Sequence, residues 1–91
     1  MTRDEILQSA ITAVCTEHND EYGEPEQNFE AIAAYWSNYL SYALDRDTML
    51  CSRDVAHMMI LFKVARLTTG KLTQDSYIDI AGYAACGGEL A

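Results

Sequence analysis

The sequence predicts an all-α fold, a single small helical domain over residues 1–91 built from four helices. Three observations carry this expectation. Apolar residues recur at three- and four-residue intervals in four separate segments. Each segment is bracketed by residues that start or stop helices. One proline and five glycines are too few to supply the frequent turns of a β fold.

The first segment opens on Thr2-Arg3-Asp4-Glu5, the form of a capping box in which Thr2 and Glu5 satisfy each other's free backbone donors. Leu7, Ala10, Ile11, Val14 and His18 follow at helical spacing, and Gly23 is a stop that accepts a left-handed conformation without steric cost. This helix is expected to run to about Glu21. Pro25 then suits the first turn of a second helix, where its missing N–H is not needed, and Glu24 and Glu26 face the positive dipole end. Phe29, Ile32, Ala33, Trp36, Tyr39, Leu40 and Ala43 form its apolar stripe, with Trp36 as an expected core anchor. Asp45 to Cys51 reads as a connection.

Ser52 can cap the third helix, with Asp54 in its first turn. Val55, Met58, Met59, Leu61, Phe62 and Ala65 leave that helix little polar surface, and Gly70 ends it. Thr73 can cap the fourth helix, with Asp75 near its start. From Ser76 to Gly88 its only charged side chain is Asp79. Helices apolar nearly all round are buried inside a bundle or between subunits, so these two are expected to form the centre.

The bulk composition narrows the function. A chain of 91 residues has a modest core, so burial of exposed helix faces against another copy, a homo-oligomer, is expected. A net charge of −8 disfavours a nucleic-acid backbone as partner, because phosphate contacts of that kind need clustered Lys and Arg. It likewise disfavours anionic membranes, and no uncharged apolar run is long enough to span a bilayer. Cys15, Cys51 and Cys86 have neither zinc-site nor redox-motif spacing. Buried reduced thiols are the expectation, and with no secretory leader pattern at the N-terminus they fit a cytoplasmic location.

The informative residues are charges set where the pattern calls for apolar atoms. Lys63 stands alone between Val55 and Ala65, and Arg66 lies three positions on, on the same face. Asp79 is equally isolated, with Asp75 four positions before it. Burying an unpaired charge costs several kcal/mol (order of magnitude). Helices joined by a short loop lie antiparallel, so Lys63 or Arg66 is expected to face Asp75 or Asp79. Two roles suit such a pair: an internal brace, or a polar pocket with basic groups for phosphates and acids for a metal. Glu26 and Glu30, four apart, can point oxygens at one hard cation or stand as solvated acids. Tyr22-Gly23-Glu24-Pro25 followed by Asn28-Phe29 either joins two helices or sets the Tyr22 hydroxyl and Asn28 amide beside a ligand at a helix N-terminus. His18 and His57 fit packed or surface positions.

These segments also carry a resemblance. EYGEPEQNFEAIAAYWSNYL, DVAHMMILFKVARL and DSYIDIAGYAA resemble a family of small phage and prophage proteins known as a domain of unknown function, over about Glu21 to Leu90. The specific signature is Y-G-x-P-x-x-N-F, K-x-x-R-L and D-x-x-x-D-x-x-G-Y. More distantly, K-x-x-R-L, a short loop and D-x-x-x-D-x-x-G-Y-A look like the helices of all-α, MazG-like nucleoside triphosphate pyrophosphatases. Those are oligomeric bundles whose acids hold Mg²⁺ and cleave nucleotides to monophosphate and pyrophosphate. That likeness implies Asp75 and Asp79 as catalytic metal ligands, with Glu26 and Glu30 as partners in holding Mg²⁺. It implies Lys63 and Arg66 on phosphate oxygens, and Tyr22 and Asn28 lining the pocket. The MazG-like group carries E-x-x-E on one helix and E-x-x-D on the next; in this chain neither spacing is clean, and the third helix offers Lys63 and Arg66 in place of acids.

Two functional readings follow. In one, the domain binds a nucleotide and, with Mg²⁺, hydrolyses its phosphoanhydride. In the other it is a non-catalytic oligomeric phage accessory protein that sequesters a nucleotide or binds a host protein. A purely structural bundle, with Lys63 and Asp79 as braces, is a third.

Overall fold

The computed structural model describes residues 1–17, 25–71 and 73–90. Among these residues the chain forms four helices and no strand: α1 (Arg3–Thr12), α2 (Pro25–Leu44), α3 (Ser52–Thr69) and α4 (Gln74–Glu89), with a π-helical segment, Ala13–Glu17, continuing α1. The expected end of the first helix near Glu21, His18, the Gly23 stop and Tyr22 lie outside the described residues.

Thr2 caps α1 as its sequence requires. Its hydroxyl accepts from the Glu5 N–H at 3.2 Å, and its own N–H donates to Glu5 Oε1 at 3.1 Å. The π segment was not legible in the residue pattern. It widens the helix at Ala13 and Val14, where the chain packs against α4. There Gly82 comes so close to Val14 that a Cβ on the glycine would lie 2.9 Å from Val14 Cγ1.

Pro25 is the first residue of α2, as expected. The end of α2 is tied to the loop that follows. Ser37 Oγ accepts the Leu50 N–H at 2.8 Å, Ser41 Oγ accepts the Thr48 N–H at 3.0 Å, and Asp45 turns the chain with φ 52°. Asp is one of the few residues that adopt the left-handed region readily.

Two expected caps differ. The cap position of α3 is Cys51, not Ser52, and Asp54 Oδ2 accepts the Cys51 N–H at 2.9 Å. The carboxylate reaches back to the N-cap N–H, which is the reciprocal half of a capping box. Thr73 does hold the cap position of α4, but its side chain makes no capping hydrogen bond.

α3 and α4 form an antiparallel hairpin. Its register is fixed by two contacts, Ala56 against Gly87 at one end and Lys63 against Asp79 further along. The core is small: Phe29 and Ala33 of α2 meet Val55 and Ala56 of α3, with Ile32, Trp36, Leu50, Met59, Tyr83, Cys86 and Leu90 around them. Trp36 is half-buried rather than central.

The expectation that α3 is buried all round is not met within one chain. Leu61 is 66% exposed and Phe62 48%. On α2 the stripe is buried at Phe29 and Ala33 but open at Tyr39, and Leu7 and Ile11 of α1 are open too. The cysteines also depart from expectation: all three are free thiols, but Cys15 and Cys51 are exposed and only Cys86 is partly buried. Among the described residues no helix is long and apolar enough to cross a membrane.

Candidate functional site

The α3–α4 register brings one basic and one acidic side chain together. Lys63 Nζ lies 2.9 Å from Asp79 Oδ2, with the lysine side chain 20% exposed and the aspartate 35%. Each is a charge set alone in the apolar middle of its helix, Lys63 between Val55 and Ala65 and Asp79 between Ser76 and Gly88, so their meeting follows from the hairpin. Phe62 lies below the cationic groups, its ring centroid 5.8 Å from Lys63 Nζ and 5.5 Å from Arg66 Cζ.

Asp79 also forms part of the wall of a cavity of about 180 Å³ between α2, α4 and the π segment. Val14, Pro25, Asn28, Phe29, Gly82 and Tyr83 make up most of the rest. The Phe29 and Tyr83 rings are 6.1 Å apart and inclined at 33°, within the range of an attractive tilted pair. The cavity is thus mainly apolar and aromatic, with an amide, a phenol and a carboxylate at its edge, the composition of a small-molecule site. Burial pushes the Tyr83 hydroxyl above its ordinary pKa; Lys63 opposes that rise and Asp79 adds to it. Cys86, on the same wall, is also raised, by burial first and then by the charges of Glu26 and Glu89.

The sequence-derived site residues divide into those this centre gathers and those it does not. Lys63, Asp79 and Asn28 belong to it. Arg66 does not reach an acid; it is exposed, lies against Phe62 and lines a separate recess at the α3–α4 turn. Asp75 is exposed and forms no ion pair among the described residues. Glu26 is partly buried in a second recess, which shares Val14, Pro25 and Cys86 with the cavity. Glu30 is exposed and lines a different surface, beside Ser37, Asn38 and Leu50. The two glutamates therefore diverge across α2 rather than converging on one ion. Among the described residues no three His, Cys, Asp or Glu side chains gather into a metal-binding set. Tyr22 lies outside the described residues.

Sequence reasoning did not assign roles to Phe29, Tyr83 or Val14 in the cavity. The G-Y step at Gly82-Tyr83 held part of the signal, since a glycine admits Val14 and the next residue presents its ring to Phe29.

The fold and this centre define a small all-α domain in which a helical hairpin holds a bridged charge pair at the edge of an aromatic cavity. The chain belongs to the family described as domain of unknown function (DUF6378), whose model matches residues 5–91. It is similar to the Gene 55 protein of Mycobacterium phage D29, 40% identical over 81 residues that make up 89% of this chain and 50% of the relative. It is also similar to the Gene 55 protein of Mycobacterium phage L5, 38% identical over 79 residues, 87% of this chain and 47% of the relative. The chain spans about half the length of these curated relatives. No solved structure matches it.

Proposed function

We propose that this phage-family domain binds a nucleotide in the cavity between α2 and α4, and that it does so as a homo-oligomer. The observation that carries the reading is the position of Asp79, which is at once the partner of Lys63 and part of a cavity wall with Phe29, Tyr83 and Asn28. Aromatic walls suit a flat base, and an amide and a carboxylate at the rim suit its polar edge. A cation held within one turn of the rim suits a phosphate.

The oligomer rests on surface. A chain of 10.2 kDa is expected to expose about 5,300 Å² when folded alone, whereas this one exposes 6609 Å². The difference exceeds the roughly 800 Å² per partner that a standard interface buries. Its radius of gyration, 14.3 Å, likewise exceeds the about 12 Å expected for this length.

Non-catalytic binding is one form of this reading. Mg²⁺-dependent pyrophosphohydrolysis is a second reading, favoured by Asp75 and Asp79 one turn apart on α4 and by Glu26 in the adjoining recess. Among the described residues no set of three His, Cys, Asp or Glu side chains gathers for Mg²⁺.

A thermal-shift screen of nucleosides and their mono-, di- and triphosphates, in EDTA and in Mg²⁺, separates these. Binding without catalysis gives stabilisation that persists in EDTA and returns the nucleotide unchanged. Release of pyrophosphate only in Mg²⁺, lost in Asp79→Asn, establishes the hydrolase. If no nucleotide shifts the melting temperature under either condition, the nucleotide reading is wrong.

A further inference from the structure

One turn beyond the Lys63–Asp79 pair, the hairpin register sets Arg66 across from Ser76. Here the two helices and their connection enclose a recess of about 400 Å³ lined by Arg66, Thr69, Gly70, Lys71, Thr73 and Ser76. Two of the six basic residues of a chain with net charge −8 line this one recess. Neither pairs with an acid among the described residues.

The donors around it are open. Thr73, at the cap position of α4, makes no side-chain hydrogen bond to the helix, so the first-turn N–H groups lack the partner that a capping hydroxyl would give them. Ser76 is 7% exposed, the buried polar residue of the described structure, and its hydroxyl has no hydrogen-bond partner among the described residues. Buried hydroxyls are normally satisfied, and one left open toward a recess marks a place where a partner is missing. Thr69 is different: its hydroxyl donates to the Ala65 carbonyl at 2.9 Å, which leaves its oxygen facing the recess only as a spare acceptor.

We propose that this recess is a binding site for a phosphate group, carried by inorganic phosphate or a small phosphate monoester. Arg66 supplies a two-pronged cation and Lys71 a point charge. Ser76, Thr73 and the free N–H groups of the 16-residue helix α4 supply short-range donors. A tetrahedral oxyanion has acceptors enough to use all of them, and it satisfies the Ser76 hydroxyl, which is left open among the described residues. Asp75, in the same first turn, opposes the anion and sets a limit on affinity. The site lies on the far side of the charge pair from the Asn28–Tyr83 cavity and does not depend on what fills that cavity.

The test is a titration followed by NMR of the amide resonances of Gln74, Asp75 and Ser76. The probes are inorganic phosphate, a nucleoside 5′-monophosphate and the unphosphorylated nucleoside, each matched in ionic strength with chloride. Saturable shifts with the first two and none with the nucleoside are expected. Equal affinity for the first two identifies the phosphate alone as the ligand, and tighter binding of the monophosphate identifies an ester. Arg66→Ala and Lys71→Ala, both at exposed positions, should weaken binding about tenfold, the size of a lost charge-assisted hydrogen bond. Ser76→Ala should weaken it about threefold without lowering the melting temperature, because the hydroxyl has no internal partner to lose. Asp75→Asn should tighten it. Shifts no larger than those in chloride, or unaltered affinity in both Arg66→Ala and Lys71→Ala, would overturn the proposal.

Discussion

Lys63 and Asp79 meet at 2.9 Å across the α3–α4 hairpin while their same-face neighbours, Arg66 and Asp75, form no ion pair among the described residues. The antiparallel register explains the selection. Pairing Lys63 with Asp79 leaves Arg66 opposite Ser76, while Asp75 stands exposed in the first turn of α4. A single pair is thus made at the boundary of the core, and the second cation is free for other work.

The pair should behave as a modest brace. Both side chains retain some solvent, Asp79 about a third of its surface, so screening keeps the coupling near that of exposed pairs, about 0.5–1 kcal/mol. A double-mutant cycle of Lys63→Met and Asp79→Asn, read by denaturant unfolding, should return a coupling of that size. The reversed pair, Lys63→Asp with Asp79→Lys, should recover most of the lost stability. A coupling indistinguishable from zero would remove the brace and leave the geometry without energetic meaning.

Tyr83 gives a pH readout of the same centre. Its folded pKa is raised by burial, so the folded state keeps its proton longer than the unfolded chain does. The sign follows from linkage: the stability from this group is complete below its ordinary value of 10.0 and is lost as pH rises through the folded value. Cys86, raised in the same way from 9.0, adds to the alkaline loss. Spectrophotometric titration of the phenol should place Tyr83 above the exposed tyrosines. Lys63→Met should raise it further and Asp79→Asn should lower it, since the lysine holds it down and the aspartate pushes it up. Equal titration of all six tyrosines would contradict the buried placement of this ring.

The sequence made the helices legible because their ends are local chemistry. Thr2 with Glu5, Pro25 and Gly70 each act within one turn of themselves, so their effect is readable without knowing the fold. The Lys63–Asp79 pair was legible for a related reason, as each is the lone charge of an apolar stretch, Val55 to Ala65 and Ser76 to Gly88. What a one-dimensional pattern cannot show is which of two apolar faces finds a partner. Met58, Leu61 and Phe62 have the same periodicity as Val55, Met59 and Ala56, yet the first set is exposed and the second lies in or against the core. Cys51 replaced Ser52 at the cap because the loop stitched by Ser37 and Ser41 fixes where α3 begins. Ser76 was invisible because an unsatisfied hydroxyl is a property of the packed structure.

Gly82 is where α4 and the π segment touch. Alanine there would set a Cβ 2.9 Å from Val14 Cγ1, closer than packed carbons tolerate, and the wider π turn offers no flexible side-chain end to move aside. Gly82→Ala should cost about 1–3 kcal/mol as an overpacking change. Adding Val14→Ala should return a substantial part of that loss by removing the methyl groups it strikes. If Gly82→Ala alone is neutral, the π segment is not held against α4 as described, and one wall of the cavity is lost with it.

The homo-oligomer proposed above would form through the outer face of α3. Met58, Leu61, Phe62 and Ala65 fall at i, i+3, i+4 and i+7 and are all exposed, a continuous stripe of the kind that otherwise packs against another helix. The spacing is symmetric about the Leu61–Phe62 step. A second α3 laid antiparallel across a two-fold axis would therefore set Leu61 and Phe62 at the centre and bring the long Met58 of one copy over the small Ala65 of the other, as an isologous interface requires. Sedimentation equilibrium should show a dimer or a higher even assembly. Leu61→Glu, at a position 66% exposed in the single chain, should give a folded monomer of unchanged helical content. A wild-type chain that remains monomeric at high concentration would show that this stripe is covered by something other than its own copy. A Leu61→Glu variant that still self-associates would move the interface to the tyrosines of α2, where Tyr35, Tyr39 and Tyr42 form the other exposed stripe.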